Sequence, residues 1–279
     1  MICDAAMKPM DFRSRWVLVT GASSGLGQEM ARQLAHEHGA NIVAVARRAD
    51  RLDALKQELE PAGVNVRTVT ADLRKVDDVD RVFDEATREG PLYGAILNAG
   101  VTHFGDWHEL GWEGFQRMLE TNVVSAVRFS TLLLPYLERQ GEGGGMMLVS
   151  SMAGLAPVPY QAAYSGTKAF LVNYGCSLWH EMKHKNVSIT TFAPGGIVTE
   201  MTAGQRFDSL RGWLMPVDRA ARSGLEGFRK RKYLHVPGVV YKMLATLSNF
   251  APEPFASSRV AAQYRASLQA AKAESGERH

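Results

Sequence analysis

Short apolar segments alternate with longer amphipathic segments through the first 200 residues, and this alternation constrains the fold most. The short segments are rich in β-branched residues and bounded by turn residues, as strands are. They span residues 16–20, 41–46, 64–70, 94–97, 146–150 and 188–192. Several are apolar nearly throughout, which is typical of strands that are covered on both faces. The pattern therefore predicts an α/β fold with a doubly wound parallel sheet and right-handed crossovers.

Composition supports a globular protein and narrows its surroundings. Of 279 residues, 46% are apolar and 22% charged, which excludes a disordered chain. The net charge of +3 is too small to favour nucleic acid as a partner. Two cysteines do not make a disulfide framework, and we expect no metal site. The chain lacks both an apolar run of about 18 residues and the apolar centre of a signal peptide. We therefore expect a cytoplasmic protein.

The regular alternation continues without a linker to about residue 200. We expect a single domain over residues 1–279, with a core at about 15–200 and a substrate-side, C-terminal helical extension at about 200–279. Two long helices are predicted inside the core, at 115–137 and 162–182.

A glycine-rich turn follows the first predicted strand and opens a helix. Gly21, Gly25 and Gly27 have the spacing G-x-x-x-G-x-G. Glycines there let the backbone approach a phosphate, while the helix presents unpaired N–H groups and its positive dipole end. A glycine cluster alone is also typical of a turn with a helix cap. The strand–turn–helix context favours a dinucleotide site.

Two arginines lie at the end of the second predicted strand, the position that distinguishes NAD from NADP binding. Arg47 lies 20 residues after Gly27, at the end of the second predicted strand, and Arg48 follows it. An acidic residue at this place binds a ribose 2′-hydroxyl, whereas arginine suits a 2′-phosphate. We predict NADP(H); the alternative is a solvated basic turn.

A tyrosine and a lysine four residues apart mark a candidate proton-transfer group. Tyr164 and Lys168 share one face of the predicted helix that follows the fifth strand. An ammonium group nearby lowers the pKa of a phenol, which is ordinarily about 10. Such a pair is also common on solvated helix faces. Its place at the carboxyl edge of the sheet, where open α/β sheets bind ligands, favours a functional role.

These motifs, taken in order, resemble the short-chain dehydrogenase/reductase family over about residues 15–200. The matching positions are Thr20 to Gly27, Asn98-Ala99-Gly100, Asn122, Ser151, Tyr164-x-x-x-Lys168 and Pro194-Gly195. The resemblance implies a Rossmann-type fold and hydride transfer between NADP(H) and a carbonyl compound or secondary alcohol. It implies a catalytic group of Asn122, Ser151, Tyr164 and Lys168. The implied cofactor residues are Gly21, Ser23, Ser24, Gly25, Leu26, Gly27, Arg47, Arg48, Asp72, Leu73, Asn98, Ala99, Gly100, Tyr164, Lys168, Pro194, Gly195, Ile197 and Thr199.

The resemblance also implies individual roles. Tyr164 exchanges the proton, and Lys168 also holds the nicotinamide ribose. The 13-residue spacing to Tyr164 selects Ser151 over its neighbour Ser150 as the hydroxyl that binds the carbonyl oxygen. Asn122 holds a water that links Lys168 to solvent, although a polar residue in a helix kink explains it as well. Asp72 either binds the adenine amino group or caps a helix, and Thr199 binds the nicotinamide carboxamide.

The region after Thr199 leaves the substrate and the partners open. An apolar stretch there fits either a substrate pocket or core packing: Met201, Phe207, Trp213, Leu214 and Met215. Residues 233–237 resemble the last strand of the family. Residues 219–242 carry seven basic residues and one acid, a net charge of +6, and apolar residues then recur at helical spacing at Val239, Val240, Met243, Leu244, Leu247 and Phe250. Such a segment either meets an anionic membrane or packs on the pocket or another subunit.

Three functions are therefore compared. The first is a reductase of a hydrophobic ketone or aldehyde, in a homodimer or homotetramer that the resemblance places on helices 115–137 and 162–182. The second is a reductase of lipid-derived carbonyl compounds at a membrane surface. The third is an NADP-binding sensor or scaffold without catalysis, which would not need the four catalytic residues.

Overall fold

A seven-stranded, all-parallel sheet forms the centre of the molecule. The computed structural model describes residues 7–88, 90–203 and 214–238, together with 261, 262, 264–266, 268 and 269. The strands are β1 Trp16–Thr20, β2 Asn41–Ala46, β3 Val66–Thr70, β4 Leu92–Leu97, β5 Gly145–Val149, β6 Ser188–Phe192 and β7 Leu234–His235. Their order in the sheet is β3-β2-β1-β4-β5-β6-β7, and every neighbouring pair is parallel. This is the predicted Rossmann-type α/β fold.

Helices cover both faces of the sheet. They are α1 Gly25–His38, α2 Ala49–Leu59, α3 Val76–Arg88, α4 Gly111–Leu119, α5 Ser125–Gln140, α6 Ala162–Met182 and α7 Val217–Arg229. One core lies between the sheet and α1, α2 and α7, where Met30, Leu55 and Phe228 are fully buried. A second core lies on the opposite face under α3, α5 and α6, around residues such as Val82 and Phe129. Burial on both faces explains the nearly continuous apolar strands.

The structure confirms the predicted strands and corrects the bounds of three of them. The third strand begins at Val66 rather than 64, the fourth begins at Leu92 rather than 94, and the fifth is Gly145–Val149 rather than 146–150. The predicted last strand at 233–237 is present as the shorter β7. Helix 162–182 has the predicted bounds.

The helix predicted over 115–137 is present and longer, since residues 111–140 are helical, but it is not uniform. The chain forms α4, then a π turn at Glu120–Val124, and then α5. In a π turn the backbone hydrogen bond spans five residues instead of four, so the turn holds one more residue than a turn of α-helix. Apolar periodicity does not reveal such a change, because α4 and α5 keep helical spacing on either side of it.

The order of the strands creates a crevice at the carboxyl edge. From β1 the chain proceeds outward through β2 and β3, and then returns to the other side of β1 with β4. The loops after β1 and β4 therefore diverge from adjacent strand ends. Such a switch point is where open α/β sheets bind ligands.

Several predictions fall outside the described residues. They concern Phe207, Trp213 and the apolar helical repeat from Val239 to Phe250. Within the described part of the chain, no helix is both long and apolar enough to cross a membrane. Residues 261, 262, 264–266, 268 and 269 are helical and lie within the predicted C-terminal extension.

Candidate active site

The glycine turn after β1 requires glycine for steric reasons. Gly21 and Gly25 have φ angles of +69° and +56°, which side chains disfavour. A Cβ atom on Gly27 would lie 2.4 Å from Asn98 Nδ2 and 2.5 Å from the Gly21 oxygen. Thr20 supports this packing, because its Oγ1 accepts hydrogen bonds from the N–H groups of Asn98 and Ala99 at 3.0 Å each. The two loops at the switch point are thereby joined.

A cleft of about 660 Å³ opens at this edge of the sheet. Every residue that the sequence assigned to the cofactor lines it, except Gly27, which lies behind Gly21. Ser151, Tyr164 and Lys168 line the same cleft, whereas Asn122 lies behind the lining. The structure therefore brings the two predicted groups of residues to one place.

One end of the cleft carries a cluster of donors suited to a phosphate. Arg48 follows β2 and donates from Nη2 to the hydroxyls of Ser24 at 2.7 Å and Ser23 at 3.0 Å. Arg47 lies beside it, exposed, on the same cleft. A guanidinium group, two hydroxyls and the first N–H groups of α1 together form an anion-binding donor set. This observation fits a phosphorylated dinucleotide.

Asp72 lies farther along the cleft and is held by a local ion pair. Its carboxylate accepts hydrogen bonds from Arg74, including one from Nε at 2.9 Å. Hydrogen bonding to Arg74 lowers the pKa of Asp72, so the carboxylate is ionised at neutral pH. The side chain does not cap α3, which begins at Val76. It remains able to accept a further hydrogen bond from the cleft.

Tyr164, Ser151 and Lys168 form the second half of the site. Lys168 is 4% exposed, and its Nζ donates to the Val149 oxygen at 2.9 Å. Nζ lies 5.7 Å from the centre of the Tyr164 ring. Burial lowers the pKa of Lys168 to about 8. The amine is thus easily neutralised in the folded protein.

The electrostatics of Tyr164 differ from the sequence-based expectation. Burial raises the pKa of its phenol, and hydrogen bonding to Ser151 only partly opposes that change. We expected the ammonium of Lys168 to lower this pKa, but desolvation dominates. Tyr164 is therefore a protonated hydroxyl donor at neutral pH in this state.

The two adjacent serines have different surroundings. Ser150 is buried and its Oγ donates to the Lys168 oxygen at 2.7 Å, which ties β5 to α6. Ser151 is half-buried, and its Oγ accepts from the Ala153 N–H at 3.1 Å. Ser151 is also the serine whose hydrogen bonding affects Tyr164. The geometry agrees with the choice of Ser151 from the spacing.

Asn122 sits in the π turn and supports the loop after β4. Its Oδ1 accepts from the Val101 N–H at 2.8 Å, and its Nδ2 donates to the Val101 oxygen at 2.9 Å. Nδ2 also donates to Thr167 Oγ1 on α6 at 3.0 Å. A Cβ atom on Gly100 would lie 3.3 Å from Asn122 Oδ1 and 3.4 Å from Lys168 Nζ. Asn122 thus links the β4 loop to the helix that carries Lys168.

Sequence reasoning missed several residues of the cleft, among them Tyr264 and Glu200. Tyr264 lies on the C-terminal helix, contacts Phe104 edge-to-face at 4.9 Å, and affects the pKa of Tyr164 electrostatically. Glu200, next to Thr199, lines the cleft and pairs with Arg48. Neither belongs to a motif, and only spatial proximity reveals them. Of the apolar stretch, Met201 and Leu214 line the cleft while Met215 packs on the core.

Comparisons with known proteins agree with this arrangement. Residues 15–209 match the family model for short chain dehydrogenases. An uncharacterized oxidoreductase of Myxococcus xanthus is 36% identical over 202 residues, which cover 72% of this chain and 78% of that protein. The 11-beta-hydroxysteroid dehydrogenase of Pinus massoniana is 33% identical over 198 residues, covering 70% of this chain but only 54% of that protein.

Solved structures show the same fold. A short-chain dehydrogenase from Sphingobium yanoikuyae in complex with NADPH superimposes with a TM-score of 0.76 at 28% identity, covering 84% of this chain and 94% of that one. Among solved neighbours, some hold NADPH and others NADH. The family match spans well over half of the sequence and includes every motif of the cleft. The chain is therefore a member of the short-chain dehydrogenase/reductase family of oxidoreductases.

Proposed function

We propose that the protein transfers a hydride between NADP(H) and a carbonyl compound or secondary alcohol, with a hydrophobic ketone or aldehyde as substrate. One observation carries the proposal. A single cleft joins the phosphate-binding donors of Arg48, Ser23 and Ser24 to the hydroxyls of Ser151 and Tyr164. A protein that only sensed a dinucleotide would need the first group and not the second.

The residues of this chain divide the chemistry between them. When bound, the nicotinamide supplies or accepts the hydride. Ser151 donates a hydrogen bond to the substrate carbonyl oxygen, and Tyr164 donates the proton that this oxygen takes up during reduction. With its pKa raised by burial, Tyr164 carries its proton at neutral pH, which is the form that reduction requires. Lys168 holds the nicotinamide ribose, and because its pKa of about 8 leaves it mostly protonated at neutral pH, its ammonium group faces the cleft beside Tyr164. Asn122 fixes the position of the β4 loop relative to α6 through its hydrogen bonds. The water that would link Lys168 to solvent through Asn122 stays a prediction.

The preference for NADP(H) rests on charge at the end of β2. Arg48 already donates to two hydroxyls at the glycine turn, and the residues at the end of β2, Ala46 to Arg48, include no acid of the kind that binds a 2′-hydroxyl. A guanidinium group binds a phosphate dianion through charge-assisted hydrogen bonds. The preference is tested by the ratio of the Michaelis constants for NADPH and NADH, and equal constants would contradict it.

The walls beside Tyr164 favour an apolar substrate. Met152, Val158, Leu214 and Tyr264 line the same cleft as Tyr164. The hydroxysteroid dehydrogenase relative, of which this chain matches about half, points to the same chemical class. A panel of aliphatic and cyclic ketones, aldehydes and β-keto esters with NADPH would identify the preferred members.

The catalytic assignment is tested by Tyr164→Phe. This variant should lose turnover of any accepted ketone by at least about a hundredfold, while NADPH binding measured by fluorescence stays within about twofold. Tyr174→Phe, on the same helix but packed against the core, is the matched control and should keep normal turnover. Retained activity in Tyr164→Phe would refute the role of Tyr164, whereas a wild type that binds NADPH but turns over no ketone or aldehyde would leave the sensor or scaffold function in its place.

We further propose a homo-oligomer formed through α4, α5 and α6. Trp112 on α4 is 74% exposed, and Leu119 on α4 and Phe170 on α6 are also exposed. Apolar side chains exposed on these helices favour a protein interface. Analytical ultracentrifugation gives the mass of the wild type and of a variant that carries both Trp112→Asp and Phe170→Glu. The wild type should sediment as an oligomer and the variant as a smaller species, and a monomeric wild type would refute the proposal.

The membrane-surface function depends on the basic segment 219–242, only part of which is described. Co-sedimentation with anionic liposomes at low and high salt would decide it, because electrostatic binding falls as salt screens the charges.

A further inference from the structure

An acidic side chain is paired with Arg48, the arginine assigned to the 2′-phosphate. Glu200 accepts a hydrogen bond from Arg48 Nη1 at 3.2 Å through Oε2. Its other oxygen, Oε1, pairs with Arg51 Nη1, one helical turn along α2. Hydrogen bonds from the two arginines lower the pKa of Glu200, so the carboxylate is ionised at neutral pH. A negative charge therefore stands beside the donors assigned to the 2′-phosphate.

Arg48 is shared between this acid and the glycine turn. Its Nη2 faces Ser23 and Ser24, while its Nη1 faces Glu200. A phosphate dianion held by Arg48 and the two serine hydroxyls would lie next to the Glu200 carboxylate. The two anions repel each other and compete for N–H donors of the same guanidinium group.

The backbone holds Glu200 close to this position. Thr199 and Thr202 cap the turn Glu200–Thr202 reciprocally, with the Thr199 N–H donating to Thr202 Oγ1 at 3.1 Å. A Cβ atom on Gly25 would lie 3.2 Å from the Thr199 methyl group, so the segment packs directly on the glycine turn. The Glu200 carboxylate therefore stays within hydrogen-bonding distance of both Arg48 and Arg51. If it is displaced from Arg48, it can remain paired with Arg51.

We propose that Glu200 is a specificity-determining residue that competes with the 2′-phosphate of the cofactor for Arg48, and that Arg51 relieves this competition by holding the displaced carboxylate. The inference rests on the proposed NADP(H) preference and refines it. It predicts that Glu200 weakens binding of 2′-phosphorylated ligands and leaves binding of ligands without that phosphate unchanged.

The test is calorimetric binding of two fragments, adenosine 2′,5′-bisphosphate and 5′-AMP, to the purified protein. Glu200→Gln should tighten the bisphosphate about two- to fivefold, the size expected for a partly exposed charge interaction, and leave 5′-AMP unchanged. Arg51→Gln should weaken the bisphosphate by a similar factor, because the carboxylate then depends on Arg48 alone. In the Glu200→Gln background, Arg51→Gln should have no effect. Glu60→Gln, which removes an exposed acid paired with Lys56 beyond the other end of α2, is the control.

The binding results distinguish competition by Glu200 from the NADP(H) preference on which it depends. If the wild type binds both fragments equally, the NADP(H) preference fails. If it prefers the bisphosphate but Glu200→Gln leaves that affinity unchanged or weakens it, competition by Glu200 is refuted while the preference stands. If Arg51→Gln weakens the bisphosphate equally with and without Glu200, Arg51 binds the phosphate itself and its role as the alternative partner is wrong.

Discussion

Burial of the Lys168 amine should make the stability of the protein depend on pH. The ordinary pKa of lysine is 10.5, and burial lowers that of Lys168 to about 8. Between these values the unfolded chain binds a proton that the folded chain has lost, so the free energy of unfolding rises with pH. At about 1.4 kcal/mol per pKa unit the full contribution is about 3 kcal/mol. About 2 kcal/mol of it should develop between about pH 7 and 9.5.

Lys168→Met isolates this contribution, since it removes the ammonium and keeps the length of the side chain. Urea unfolding followed by tryptophan fluorescence, without added cofactor, gives the free energy of unfolding across this pH range. The wild type should gain about 2 kcal/mol relative to Lys168→Met as the pH rises. Other titrating groups are common to both proteins and cancel in the difference. The lost hydrogen bond to Val149 does not depend on pH and shifts the whole curve.

Lys185→Met removes an exposed lysine and serves as the control. Its stability should follow that of the wild type within about 0.5 kcal/mol at every pH. Parallel curves for the wild type and Lys168→Met would refute the reasoning, because the folded protein would then hold the Lys168 proton as tightly as the unfolded chain does.

Three further predictions concern positions around the cleft. Gly27→Ala places a Cβ 2.4 Å from Asn98 Nδ2. It should lower the free energy of unfolding, measured by thermal unfolding, by about 1–3 kcal/mol and should also weaken cofactor binding. An unchanged melting temperature would contradict the packing. Asn122→Ala leaves the N–H and C=O of Val101 without their side-chain partner and should lower the free energy of unfolding in urea by about 2 kcal/mol. A loss below about 0.5 kcal/mol would disprove that Asn122 stabilises the β4 loop. Tyr264→Ala should raise the KM for bulky ketones severalfold with NADPH binding unchanged, and an equal KM would remove it from the substrate wall.

Local signals in the sequence were enough to predict the sheet. The period of two in the strands and 3.6 in the helices reflects which faces are buried, and both are readable in short windows. The glycines of the first turn are equally readable, because Gly21 and Gly25 take backbone angles that other residues disfavour. Motif order then identified the family, and the structure gathered the assigned residues around one cleft.

The π turn at Glu120–Val124 was not predictable in this way. Asn122 stood out as a polar residue within a helix, and a kink was one explanation of it. The widened turn depends on hydrogen bonds from Asn122 to Val101 and to Thr167, which are 21 and 45 residues away in the chain. Local periodicity carries no information about such partners.

The sequence by itself predicted the strands and helices of a doubly wound parallel sheet and the glycine turn, because these follow from periodic burial and local backbone sterics. It assigned the catalytic and cofactor residues through the order of the motifs. Only the tertiary structure decided the electrostatics of the site. Desolvation outweighs the expected effect of Lys168 on Tyr164, and Glu200 and Tyr264 reach the cleft from segments that no motif connects to it. Burial and charge interactions act through space, so they depend on which residues the fold brings together.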